Sequence, residues 1–119
     1  MHQLKHITLT DFISEKGIKN EHIKLSYEVF GKELYSAPIV LVNHALTGNS
    51  NVAGENGWWI DLVGENKVID TNLYTILSFN IPGNGYDGFV IENYKDFEAR
   101  DIANIFLLGL EKLNISSVY

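Results

Sequence analysis

Hydrophobic and polar positions follow two rhythms along the chain. Between His22 and Phe30, the residues Ile23, Leu25, Tyr27 and Val29 alternate with Lys24, Ser26 and Glu28. This is the two-residue period of a strand with one buried face. A weaker alternation, Ile7-Thr8-Leu9-Thr10, precedes it and slips before Phe12 and Ile13. Glycine and polar residues at 15–20 predict a turn, so these two strands pair antiparallel. The run Ile39-Val40-Leu41-Val42 has no alternation. It predicts a strand buried on both faces, as in a parallel sheet covered by helices. Residues 74–79, Tyr-Thr-Ile-Leu-Ser-Phe, predict a second such strand. From about 98 to 113 the period becomes helical, with Ile102, Ile105, Phe106, Leu110 and Leu113 on one face. Asp101, Asn104, Glu111 and Lys112 lie mostly off that face. Asp96 is the expected N-cap, Glu98 and Asp101 suit the positive end of the helix dipole, and Asn114 closes the helix. Residues 115–119 begin a further strand.

Between these elements lie residues 49–57, a loop rich in glycine and asparagine with no apolar core of its own. Loops of that length in compact domains are often functional. Residues 58–63 predict a short helix ended by Gly64 in the C′ position. Residues 68–72 predict a turn, and Asn80-Ile-Pro-Gly-Asn-Gly-Tyr-Asp-Gly is dense in turn formers. The order predicts an α/β fold whose mixed, mostly parallel sheet has a leading antiparallel pair. Residues 38–48 organise it, because ligands of open α/β sheets bind beyond the carboxyl ends of the strands.

Composition narrows the chemistry. The 119 residues are 45% hydrophobic, enough for the core of one domain. The net charge of −6, with Lys and Arg scattered, argues against a nucleic-acid partner. There is no cysteine, so no disulfide, thiolate nucleophile or cysteine-ligated metal exists here. That fits a reducing cytoplasm, the expected location. No apolar run approaches the ~20 residues of a membrane span, and the N-terminus lacks a signal-peptide core. No metal ligand set is read from the sequence.

Particular phrases go further. Asn43-His44-Ala45-Leu46-Thr47-Gly48, then Gly57-Trp58-Trp59, then Leu62-Val63-Gly64 with Ile69-Asp70-Thr71, resemble homoserine O-acetyltransferases of the α/β-hydrolase superfamily. Arg100-Asp101 at the helix start adds to that resemblance, which runs from about residue 25 to 119. The loop at residues 80–85 departs from the more usual double-glycine form. The resemblance implies the N-terminal part of a single α/β-hydrolase domain, the remainder of that domain lying outside the chain. It implies acetyl transfer from acetyl-CoA, a co-substrate and not a resident cofactor, to L-homoserine on the way to methionine. In such chemistry a serine on a strained strand-to-helix turn takes the acyl group, assisted by histidine and aspartate. The 119 residues contain no Gly-x-Ser-x-Gly, so the triad is expected beyond Tyr119.

Carried over residue by residue, the backbone N–H of Leu46 matches one oxyanion donor, and Thr47 and Gly48 match positions that shape the acyl pocket. His44 is expected to satisfy local backbone, and Trp58 and Trp59 to serve packing. Two further readings stand beside this one. The first is another enzyme on the same scaffold: a homoserine O-succinyltransferase, a serine O-acetyltransferase or an esterase. The second is a non-enzymatic doubly wound interaction module. A homo-oligomer is expected, because a sheet edge without a partner strand invites pairing with another chain.

Overall fold

The computed structural model describes residues 4–91 and 94–119. Its elements are β1 (Lys5–Ile13), β2 (Lys19–Gly31), β3 (Ile39–Leu41), β4 (Val63–Gly64), β5 (Ile69–Asp70), β6 (Thr75–Phe79), a 3₁₀ turn (Tyr94–Asp96) and α1 (Ala99–Lys112). The main sheet has the order β1-β2-β6-β3. β1 and β2 are antiparallel, as the alternation predicted, and β6 runs antiparallel to β2 and parallel to β3. The slip in the first alternation has a backbone cause. Asp11 adopts φ 55, and beyond it Phe12 is buried like Leu9.

β6, not β3, is the centre of the sheet. All five of its residues are buried, whereas Val40 and Leu41 of β3 are half-buried. Beyond β3, the Leu41 N–H donates to the Tyr119 carbonyl and the Tyr119 N–H to the Ile39 carbonyl, both at 2.9 Å. That is the hydrogen-bond pattern of a parallel pair. Residues 115–119 therefore run along the outer side of β3, where a further strand was expected.

The alternating side chains build two cores. One face carries Leu25, Tyr27, Leu77 and Phe79, covered by Ile105 and Phe106 of α1. The other carries Phe30, Val42 and Ile76, covered by Val52 and Val63. Residues 49–57 are thus not without a core: Val52 is fully buried in the second one.

Three local expectations are corrected. Residues 58–62 form turns, not a helix, and Val63 already belongs to β4. The N–H groups of Trp58 and Trp59 donate to the carbonyls of Asn51 and Val52, drawing the segment back onto its own loop. Gly64 accordingly pairs in a short parallel ladder with β5 instead of capping a helix, so part of the 68–72 turn is strand. The N-cap of α1 is Glu98, not Asp96. Asp101 is buried, because its two carboxylate oxygens accept the N–H of Glu15 and the N–H of Glu98, each at 2.8 Å. One side chain thus caps the helix and pins it to the β1–β2 turn. Asn114, at φ 58, closes the helix as expected.

Two outcomes follow for stability. A Cβ on Gly109 would lie 2.6 Å from Leu25 Cδ2 and 3.0 Å from two ring carbons of Phe79. Gly109→Ala gains about 1 kcal/mol of helix propensity but overpacks a closed core at about 1–3 kcal/mol. The clash wins, because Leu25 and Phe79 have no exposed surface into which to retreat. A net loss of about 1 kcal/mol is expected in urea unfolding, and a stabilised variant would mean that the helix slides freely on the sheet. Asp101→Ala orphans two N–H groups and should cost about 2–3 kcal/mol. Asp101→Asn, which keeps one acceptor oxygen, should cost less.

Candidate active-site loop

Because β3 and β6 are parallel neighbours, their carboxyl ends lie side by side. The Val42 N–H donates to the Leu77 carbonyl, so the ladder holds up to the point where the chain leaves β3. Residues 43–50 then run beside residues 80–84, which leave β6.

His44 joins the two segments. It is buried, and its Nε2 lies 3.0 Å from the backbone nitrogen of Ile81. A backbone N–H can only donate, so Nε2 accepts and carries no proton. In the neutral imidazole the proton therefore sits on Nδ1, 2.6 Å from the Ala45 carbonyl oxygen. The ring satisfies local backbone at both nitrogens, the role expected of it.

The Ala45 carbonyl also accepts the Gly48 N–H at 2.8 Å, closing a turn with Leu46 and Thr47 at its tip. Leu46 is 84% exposed. Among the described residues, its N–H donates to no protein group. Thr47 is exposed and Gly48 half-buried. A Cβ on Gly48 would come within 3.0 Å of His44 Cβ and 3.2 Å of the Ala45 oxygen, so a larger residue there would push the histidine and the turn apart by a few tenths of an ångström.

Beneath this turn lies a polar cluster that the sequence reading missed. The alternation of β2 places Ser26 and Glu28 opposite its apolar face, but residues 49–57 cover that side and both are buried. Asn80 donates to the hydroxyls of Ser26 and Ser50 at 2.8 Å, and its oxygen accepts the Ser50 N–H at 2.8 Å. The Ser50 hydroxyl donates to Glu28 at 2.5 Å. Asn84 donates to the Asn80 side chain at 3.2 Å and to the Gly48 carbonyl at 3.4 Å. Burial raises the Tyr86 phenol above its ordinary value, and the charge of Glu28 and a hydrogen bond to it add to the rise. The one available signal was the recurrence of Ser and Asn at 49–51 and 80–84, residues able to satisfy a buried carboxylate.

Trp58 and Trp59 are not core residues. They are 42% and 37% exposed and stack on each other at 5.4 Å, while the Trp58 indole N–H donates to the Asn49 carbonyl. The buried apolar cover here comes from Val52 and Val63 instead. A cavity of about 890 Å³ opens beside Gly31, Lys32 and Thr71, and none of residues 43–50 lines it. Gly31 and Thr75 pair where β6 begins, so this cavity belongs to the other end of the sheet.

No protein-family model matches the chain. Homoserine O-acetyltransferase of Natronomonas pharaonis is 36% identical over 96 residues, covering 72% of this chain and 24% of that protein. The Haloferax volcanii homoserine O-acetyltransferase is 43% identical over 82 residues, covering 60% and 20%. Among solved structures, homoserine O-acetyltransferase from Staphylococcus aureus superposes with a TM-score of 0.79 at 25% identity, over 99% of this chain and 37% of that one. Esterase E22 superposes with a TM-score of 0.80 at 25% identity, over 100% and 39%. The chain spans about a quarter of the length of the curated relatives it matches. It has the α/β-hydrolase fold, and by sequence it is a relative of the homoserine O-acetyltransferases.

Proposed function

We propose that this chain supplies the oxyanion-loop part of an acyltransferase that moves an acetyl group from acetyl-CoA to the hydroxyl of L-homoserine, a step toward methionine. The observation that carries the reading is the Leu46 N–H, without an acceptor among the described residues, on a braced turn at the carboxyl end of two parallel strands. A preorganised backbone donor in such a place stabilises the oxyanion of a tetrahedral intermediate. Thr47 and Gly48, on the same turn, would shape the space for the acyl group. The serine, histidine and aspartate of the mechanism are assigned to sequence outside these 119 residues, which hold no Gly-x-Ser-x-Gly. The similarity to esterase E22 favours one second reading, hydrolysis with water as acceptor on the same oxyanion loop. The absence of cysteine supports a cytoplasmic setting, and no helix of the described residues is long and apolar enough to cross a membrane.

The test is a chimera in which this chain replaces the matched segment of the Staphylococcus aureus homoserine O-acetyltransferase. Acetyl-CoA and homoserine should give thiol release with O-acetylhomoserine as product. Thiol release without that product would favour the esterase reading. The chain alone should release no thiol. Leu46→Pro removes the N–H at a position of negative φ in a turn, where proline is well tolerated. It should lower turnover by about 10²–10³, while Leu46→Ala should be mild. A folded Leu46→Pro chimera with near-normal turnover would place the donor elsewhere.

We also infer self-association. An apolar cleft of about 420 Å³, lined by Pro38, Val40, Ile69 and Tyr74 among others, is flanked by Val68 and Tyr119, which are 80% and 79% exposed. Exposed apolar surface beside a sheet edge favours association. Light scattering over a dilution series should give a mass above 13.4 kDa that falls toward it on dilution. A constant monomer mass would show that the cleft does not associate.

A further inference from the structure

We propose that His44 is a positioning residue: by holding the Ala45 carbonyl it aims the Leu46 N–H outward, toward the place where an oxyanion would form. The inference rests on the reading of Leu46 as the oxyanion donor and adds a side chain to it.

The Ala45 carbonyl and the Leu46 N–H belong to one planar group, and no peptide bond of the described residues is cis. In a trans peptide the two dipoles point in opposite directions. Fixing the carbonyl therefore fixes the N–H. The carbonyl oxygen has two lone pairs and two donors: His44 Nδ1–H at 2.6 Å and the Gly48 N–H at 2.8 Å. The carbonyl points at these two donors, so the Leu46 N–H of the same trans peptide points away from them. Two donors on the oxygen also polarise the peptide, making its N–H a better donor.

The histidine can do this only because its other nitrogen is anchored. Nε2 accepts from Ile81, on the segment leaving β6, which sets both the ring orientation and the tautomer. A buried Nδ1–H also needs an acceptor, and here that acceptor is the Ala45 carbonyl. The contact with Ala45 is what ties the ring to the donor peptide. Gly48 allows the ring and the turn to approach, since a Cβ there would lie 3.2 Å from Nδ1.

Asparagine and glutamine separate the two functions. The Asn amide sits near the place of Nδ1 and can donate to Ala45, but it does not reach Ile81. The Gln amide reaches the place of Nε2 and can accept from Ile81, but it leaves Ala45 without its donor. In the unaltered chain, labelled with ¹⁵N, long-range spectra should show the proton on Nδ1 and a coupling between the Ile81 amide nitrogen and Nε2. The opposite tautomer would overturn the proposal without any variant being made. In His44→Gln the residual dipolar coupling of the Leu46 N–H should change, and in His44→Asn it should stay nearer the parental value. Equal values in parent and both variants would overturn the proposal.

The same variants in the chimera should split kinetically. His44→Gln should lower kcat by roughly 10–10², the scale of a reacting group misplaced by up to about an ångström, with KM little changed. His44→Asn should recover part of that loss. If the dipolar couplings respond as expected and kcat does not, Leu46 is not the oxyanion donor, and the catalytic half of the proposal falls with that reading. If kcat falls equally in both variants, the Ala45 contact is not what matters and the positioning role is overturned.

Discussion

The fold depends on β6 having no exposed face. It is hydrogen-bonded on one edge to β2 and on the other to β3, and each of its five residues is buried. A strand so enclosed needs cover on both sides. The helix α1 provides it on one side through Ile105, Phe106 and the bare backbone of Gly109. On the other side the cover is a mostly irregular segment, residues 49–64, in which Val52 and Val63 are the fully buried hydrophobic side chains and Ser50 is buried beside them. Apolar contact on that side is sparse, and polar groups complete it.

Those polar groups are the second consequence. Burying a carboxylate such as Glu28 costs several kcal/mol unless it is hydrogen-bonded. Ser50, and Tyr86 through its phenol, bond to it, and Asn80 links Ser50 to Ser26. The gain per hydrogen bond is modest, about 1 kcal/mol, but the loss on breaking one is larger, because a partner stays buried and unpaired. A loop held in this way has one geometry and steep costs for leaving it. Such a cluster adds little net stability, but it specifies where residues 48–50 lie.

Much of this was legible in the sequence where periodicity and physical necessity agree. The alternation in β2, the unbroken run of β6 and the helical stripe of α1 each admit one arrangement of faces. The turn closed by Asn114 was legible because asparagine tolerates positive φ. Three things were not. The Trp58-Trp59 pair reads as core by composition, but two adjacent residues cannot both follow Val52 inward once their N–H groups return to Asn51 and Val52. Asp101 reads as a solvent-side charge, yet the N–H of its own helix cap, Glu98, and the distant N–H of Glu15 both bond its oxygens. Ser26 and Glu28 read as the outer face of a two-sided strand. Alternation reports that two faces differ; it does not report that the polar one is covered by a loop over twenty residues away.

The candidate site shows a related asymmetry. The group proposed to meet the oxyanion is a backbone N–H, and any residue but proline supplies one, so the identity of Leu46 carries little information. Its side chain is largely exposed and anchors nothing. What needs particular residues is the brace: an imidazole with one nitrogen for Ala45 and one for Ile81, a glycine where a Cβ would crowd that ring, and an amide at 80 that serves both Ser50 and Ser26. The phrase His44-Ala45-Leu46-Thr47-Gly48 is thus distinctive through its first and last members, which hold the turn. A sequence signature around a backbone-donor site marks the machinery that orients the peptide, and the reacting group is located by what that machinery points at.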